Sequence, residues 1–172
     1  AAAGSPAVVT ARAAARRGEV PSSPAAERAL IGAALLGDDL AADGVRAAVQ
    51  AADFFGPGHA AIWIAVERCW ALARPVSYIT VAATLAELGT IDEVDRMTGG
   101  TEPYLVGCWR DAWSISGALQ WATMIHKYAE RRRIIQSASI AARAAYAEVT
   151  IETLNRLATH PGPQFKAGWV SE

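Results

Sequence analysis

From Gly117 to Glu148 the chain carries no proline and no internal glycine. A stretch of about thirty residues free of both breakers predicts one continuous helix, roughly 45 Å long at 1.5 Å per residue. A helix of that length does not fit inside a small globule, so it is expected to project and to pair with something. Trp121, Tyr128, Ile135 and Ala142 recur every seven residues along it. Met124, Ala138 and Ala145 fill companion positions, with Arg131 interrupting that second row. Residues 150–159, with Ile151, Leu154 and Leu157, read as its antiparallel partner, stopped by His160-Pro161-Gly162-Pro163.

Upstream the pattern is a series of short helices. Ser23 is placed to cap a helix whose first position suits Pro24 and whose first turn suits Glu27. That helix carries Leu30, Ile31 and Leu35 inward and runs to Gly37. A weaker helix, about residues 40–52, contains Gly44. Gly56-Pro57-Gly58 breaks the chain, and an amphipathic helix follows with Ile62, Val66, Cys69 and Ala73 on one stripe and Trp63 and Trp70 beside it, until Pro75. Ser77 reads as the next N-cap, with Val81, Leu85 and Leu88 behind it and Gly89 as the stop. A short helix from Ile91 leads to a turn at Gly99-Gly100, and another runs from Thr101 toward Trp113. No alternating strand pattern and no internal repeat occurs. The expectation is an all-α fold: a flexible tail over 1–21, a compact multi-helix head over 22–115, a projecting helical hairpin over 117–160, and a tail or the start of a linker over 161–172.

Composition narrows the function classes. The chain has 172 residues, 52% hydrophobic and 19% charged. This is enough apolar material for one core, yet no run approaches the ~20 apolar residues of a membrane helix. A net charge of −1 and a pI near 6.4 give no general attraction to nucleic acid. Cys69 and Cys108, each in an apolar helical segment without a second Cys or His at ligand spacing, read as buried reduced thiols in a cytoplasmic protein rather than a disulfide or a metal site. Residues 1–20, Ala- and Arg-rich with the single acid Glu19, share the composition of a transit peptide but read more simply as a tail.

The chemistry-bearing motifs are mostly missing. A phosphate loop needs a lysine after glycine, and the two lysines here, Lys127 and Lys166, follow His126 and Phe165. There is no G-x-S-x-G and no H-E-x-x-H. Asp53, His59 and Glu67 are the first suspects for a small all-α enzyme, but Asp53 reads better as a turn or cap and His59 as a locally bonded residue near a helix start. No catalytic residue, cofactor or metal is therefore assigned. Arg131-Arg132-Arg133, with Lys127 one turn earlier, forms the densest basic cluster; three consecutive residues fan around a helix and do not make one flat patch. They read as a solvated, salt-bridged hinge, with Glu67 or Glu148 as possible partners, or as a contact to a protein or single-stranded DNA. Trp109, Trp113 and Trp121 wedge the junction between head and hairpin or, if exposed, make an interface anchor.

The ordered set of motifs resembles the N-terminal domain of the replicative DNA helicase family, the DnaB type, over about Pro24 to Ala147. Pro24-Ala25-Ala26-Glu27 with Leu30-Ile31-Gly32 is similar to that family's opening helix and small-residue turn. Asp53-Phe54-Phe55 and His59, Thr80-Val81 with Leu85, Gly99-Gly100 with Tyr104-Leu105, and Tyr128-Ala129 with Arg132-Arg133-Ile134-Ile135 are similar to its later motifs. Ser77 stands where the family usually has Asp, and Trp109 to Gly117 replaces its usual link between head and hairpin.

The resemblance implies a non-catalytic domain. Head and hairpin pair into dimers, three dimers form a collar on the helicase ring, and the collar binds primase and helps position DNA. ATP hydrolysis belongs to a separate domain. It implies structural roles for Asp53, Phe54, His59, Ser77, Gly99 and Gly100. Candidates for self-association or docking are Trp109, Trp113, Trp121, Tyr128, Arg131, Arg132, Ile135, Tyr146 and Leu154. The expected partners are further copies of the chain and primase or another replisome protein, with DNA touched only indirectly or weakly and no membrane. The alternative is a stand-alone relative that regulates or loads a separate helicase, or a structural paralogue; a phosphate loop encoded past Glu172 would decide between them.

Overall fold

Ser23 and Pro24 set the start of the first helix. The Ser23 hydroxyl accepts from the backbone N–H of Ala26 at 3.3 Å, and Pro24 occupies the first turn, where no intrahelical partner for its nitrogen is needed. The computed structural model describes residues 20–37, 44–112 and 115–146. Among them are seven α-helices and no strand. They are α1 Pro24–Leu36, α2 Val45–Ala48, α3 Pro57–Ala71, α4 Tyr78–Glu87, α5 Ile91–Thr98, α6 Thr101–Asp111 and α7 Ala118–Tyr146, with a single 3-10 turn at Ala51–Asp53. The all-α expectation stands.

Local chemistry explains most of the boundaries. Ser77 and Thr80 form a reciprocal capping box at the start of α4, with Thr80 N–H donating to Ser77 Oγ at 3.2 Å and Ser77 N–H donating to Thr80 Oγ1 at 2.9 Å. Gly99 and Gly100 turn the chain from α5 into α6 with φ of 79° and 133°, values that a side chain would oppose. Asp95 Oδ1 then accepts from the Thr101 N–H at 2.6 Å, so the end of α5 caps the start of α6. Two boundaries depart from expectation. Gly44 precedes the short α2 rather than lying inside a longer helix, and residues 38–43 lie outside the described residues. α3 ends at Ala71, so Ala73, expected on its apolar stripe, is exposed beyond it; Leu88, expected behind Ser77, is exposed at the end of α4.

The core is built where α1, α3, α4 and α6 meet. Leu30, Ile31, Ile62, Trp63, Val66, Val81, Leu85 and Leu105 are fully buried, each contributing about 1.5–3 kcal/mol of transfer free energy. Trp63 sits at its centre, with Phe54 at 5.3 Å and Trp70 edge-on at 5.5 Å between ring centroids. α1 is held between α6 and α7, and α3 packs on α4 and α5. α1 and α6 approach so closely at Gly32 that a Cβ there would stand 2.4 Å from the carbonyl oxygen of Cys108. Cys69 and Cys108 are free and buried, as expected.

The long helix is real and runs for 29 residues. Its inward stripe is Ala118, Ala122, Ile125, Ala129 and Arg132, at spacings of four, three, four and three. The heptad of Trp121, Tyr128 and Ile135 therefore lies on the flank of the contact. Close approach to α1 selects alanines, whereas a pattern read from bulky residues points one position round the helix. Past Arg133 no described residue of the helix belongs to the core; Ile134 and Ile135 are 68% and 49% exposed, while Gln136, Ser137, Ile140, Ala141 and Ala144 form a partly buried stripe. The proposed partner helix at 150–159 lies outside the described residues.

Candidate functional site

Two buried carboxylates organise the junction between the head and α7. The first is Glu27. It stands in the first turn of α1, where an acid also suits the helix dipole, but its side chain turns into the protein. Its oxygens accept from Phe55 N–H at 2.7 Å, Gly56 N–H at 3.2 Å and His59 Nδ1 at 2.7 Å. That pairing places the proton on Nδ1 and leaves His59 Nε2 to accept from the Tyr104 hydroxyl at 2.5 Å. Burial pushes the Tyr104 phenol up to about 12, so the hydroxyl stays a donor across the neutral range. Arg28, the next residue, faces outward: it binds Asp111 at 2.7 Å and lies over the Tyr104 ring at 5.1 Å.

The second carboxylate is Asp53, at the end of the 3-10 turn and fully buried. Its Oδ2 accepts from Gln50 N–H at 3.2 Å and from His126 Nδ1 at 2.9 Å; its Oδ1 accepts from Arg133 Nη2 at 2.5 Å. Arg132 completes the cluster. It donates to the carbonyls of Asp53 and Pro21, the latter at 2.8 Å, and its guanidinium covers the Phe55 ring at 5.6 Å. Burial pulls the Arg132 guanidinium below its ordinary range while the charges of Glu27 and Asp53 act the other way. The two clusters thus meet at the Asp53–Gly56 corner and tie α1, the corner, α3, α6 and α7 together.

This bonding holds separate elements of the fold to one another. Asp53 and His59, the pair suspected from sequence, bond to different partners: Asp53 to α7 and His59 to Glu27 and Tyr104. The His59 bonds are long-range rather than local. Glu67 is half-buried, and burial pushes its carboxyl up. Burial likewise pushes the Cys108 thiol up, favouring the unreactive protonated form. Among the described residues, no group of three or more His, Cys, Asp and Glu is placed to hold a metal ion. A cleft of about 420 Å³ opens beside the junction, lined by Ala25, Arg28, Ala29, Cys108, Asp111 and Trp121 among others.

The docking candidates fall into three groups. Trp109 is 43% exposed and lies 6.1 Å from the Tyr78 ring; Ile135 is half-exposed; Arg131 is exposed and covers the half-buried Tyr128 at 5.7 Å. Trp121 is partly buried, with its indole over Gly117, and Arg132 is only 7% exposed and bonded inside the chain. Trp113 and Leu154 lie outside the described residues, and Tyr146 is the last residue of α7. Phe54 is buried in the core, and Ser77, Gly99 and Gly100 hold the caps and turn described above. Sequence reasoning missed Glu27, Tyr104, His126 and Arg133 as members of the polar clusters. The usable signal was the count of acids and histidines in otherwise apolar helices, each of which needs a partner once buried.

The family model for the DnaB-like helicase N terminal domain matches residues 19–127. The chain belongs to this family. The cluster residues Glu27, Asp53, His59 and Tyr104 fall within the match, as does His126 at its edge; Arg132 and Arg133 lie past it. A similar protein is the replicative DNA helicase DnaB of Mycobacterium leprae (strain TN), 28% identical over 127 residues, which cover 74% of this chain and 20% of the helicase. The chain thus spans about a fifth of the length of that relative. The crystal structure of the N-terminal domain of DnaB helicase from Mycobacterium tuberculosis superposes with a TM-score of 0.72, covering 81% of this chain and 96% of that one at 24% identity. This likeness shows a shared fold. Among the described residues, no helix is long and apolar enough to cross a membrane.

Proposed function

We propose that this chain is the assembly and partner-docking domain of a replicative DNA helicase, without catalysis of its own. It pairs copies into dimers, and three dimers build a collar that docks primase; ATP hydrolysis is the work of a separate domain. The observation that carries this reading is the family match over residues 19–127. Two features support it. The buried carboxylates Glu27 and Asp53 are occupied in bonding separate elements to one another, as in a scaffold. Trp109, Ile134 and Ile135 leave apolar surface in water, and covering such surface is favourable. DNA enters this reading only indirectly, given the net charge of −1.

Sedimentation of the purified chain tests it. Concentration-dependent dimers or hexamers, no ATPase activity, and co-sedimentation with the primase of the same organism are expected. A monomer at high concentration that ignores primase overturns the reading.

A further inference from the structure

The contact between α7 and the head changes character along the helix. Its first two turns attach through apolar groups: Ala118, Ala122 and Ile125 are buried, and Trp121 and Met124 pack partly against the same core. From His126 to Arg133 the attachment is mainly polar. His126 and Arg133 hold the Asp53 carboxylate, Arg132 holds the carbonyls of Asp53 and Pro21, and Ala129 is the buried apolar side chain between them. Past Arg133 the helix runs on to Tyr146, and no described residue there belongs to the core.

These two kinds of attachment respond differently to separation. Pulling apolar surfaces apart exposes them to water at a cost proportional to area. Opening a hydrogen-bonded ion cluster returns each charge to water, which solvates it, so the net loss is far smaller than the bond strengths suggest. Partial opening is the unfavourable state, because a half-satisfied cluster leaves a buried charge unpaired. The cluster is therefore built to be closed or open, with the apolar turns at 118–125 as the pivot.

We propose that the Asp53–His126–Arg132–Arg133 cluster is a releasable clasp that sets the direction in which α7 projects. With the clasp shut the helix lies along α1; with it open the helix swings about its apolar end while the head stays folded. In this role Asp53, Arg132 and Arg133 are positioning residues for the projecting half, residues 134–146.

Distances between spin labels test this on the full chain. Ala83→Cys on α4 and Ala142→Cys on α7 carry a head-to-arm pair, and Ala47→Cys with Ala83→Cys carries a pair within the head; all three positions are exposed, whereas both native cysteines are buried. Labelled protein is diluted with unlabelled protein so that only distances within one copy are read. Asp53→Asn, Arg132→Gln and the milder Arg133→Gln, whose side chain is partly in solvent, are each compared with the parent. The expected result is a head-to-arm distribution that broadens or shifts while the distribution within the head is unchanged. A head-to-arm distance that stays narrow in all three variants overturns the proposal. So does loss of both distances together even in Arg133→Gln, because the cluster is then part of what folds the head.

Discussion

The carbonyl oxygen of Cys108 occupies the space where a side chain on Gly32 would begin. A Cβ on Gly32 would lie 2.4 Å from that oxygen and 3.0 Å from the Cβ of Ala112, so α1 and α6 touch backbone to backbone. A backbone atom has little room to yield. Gly32→Ala is expected to push the two helices apart and destabilise the chain by about 1–3 kcal/mol, read as a lower urea midpoint. Gly37→Ala is the control: nothing stands within 4 Å of its Cβ site, and stability should stay within about 0.5 kcal/mol.

Consecutive arginines should behave in opposite ways. Arg132→Ala leaves the carbonyls of Asp53 and Pro21 without their donor and is expected to cost roughly 2–4 kcal/mol in chemical denaturation. Arg131→Ala removes an exposed side chain resting on Tyr128 and should change stability by less than about 1 kcal/mol. Equal losses in the two variants would contradict the inward placement of Arg132.

Glu27 receives three donors, so truncation leaves several buried groups unpaired. Glu27→Ala is expected to lower stability by about 3 kcal/mol or more, and Glu27→Gln by less, because an amide oxygen still accepts. His59→Gln tested alone and together with Glu27→Gln should give non-additive losses, the signature of two residues in one network.

The alkaline limb of stability should carry a Tyr104 component. In the folded chain the phenol is pushed from its ordinary 10.0 up to about 12, first by burial. Above pH 10 the unfolded chain gives up this proton while the folded chain keeps it. The contribution is thus complete below about 10 and is lost as pH rises toward 12. Urea midpoints measured across that window should fall more steeply for the parent than for Tyr104→Phe. On the acid side, the hydrogen bond from Arg28 holds Asp111 below the usual carboxylate range, so its contribution is present at neutral pH and fades as pH falls through the folded value. Asp111→Asn should flatten that fall.

Surface residues of α7 are expected to affect association and not folding. Ile134→Ser with Ile135→Ser removes two side chains that are largely in water, so the thermal midpoint should hardly move. If this face meets another copy, the dissociation constant measured by sedimentation should rise by about tenfold or more, since a buried isoleucine contributes more than 1.4 kcal/mol.

Local signals made much of this architecture legible. Ser23, Pro24 and Ser77 announced helix starts because capping is a matter of neighbouring atoms, and Gly99-Gly100 announced a turn for the same reason. The length of α7 followed from the absence of breakers. Its buried face did not, because the contact is made by alanines while the regular spacing belongs to Trp121, Tyr128 and Ile135. The polar clusters were hidden for a different reason. His59 meets Glu27 from 32 positions away and His126 meets Asp53 from 73, and no local pattern encodes such pairings.

The outer half of α7 is a lever. Residues 134–146 carry the chain about 20 Å beyond the bond from Arg133 to Asp53. A tilt of roughly 15° about the apolar turns at 118–125, roughly 36 Å from the tip, would carry the tip sideways by about 9 Å without any change at the tip itself. Where this molecule reaches is thus decided by the fit of one aspartate among its arginines, at a point the distant contact never sees.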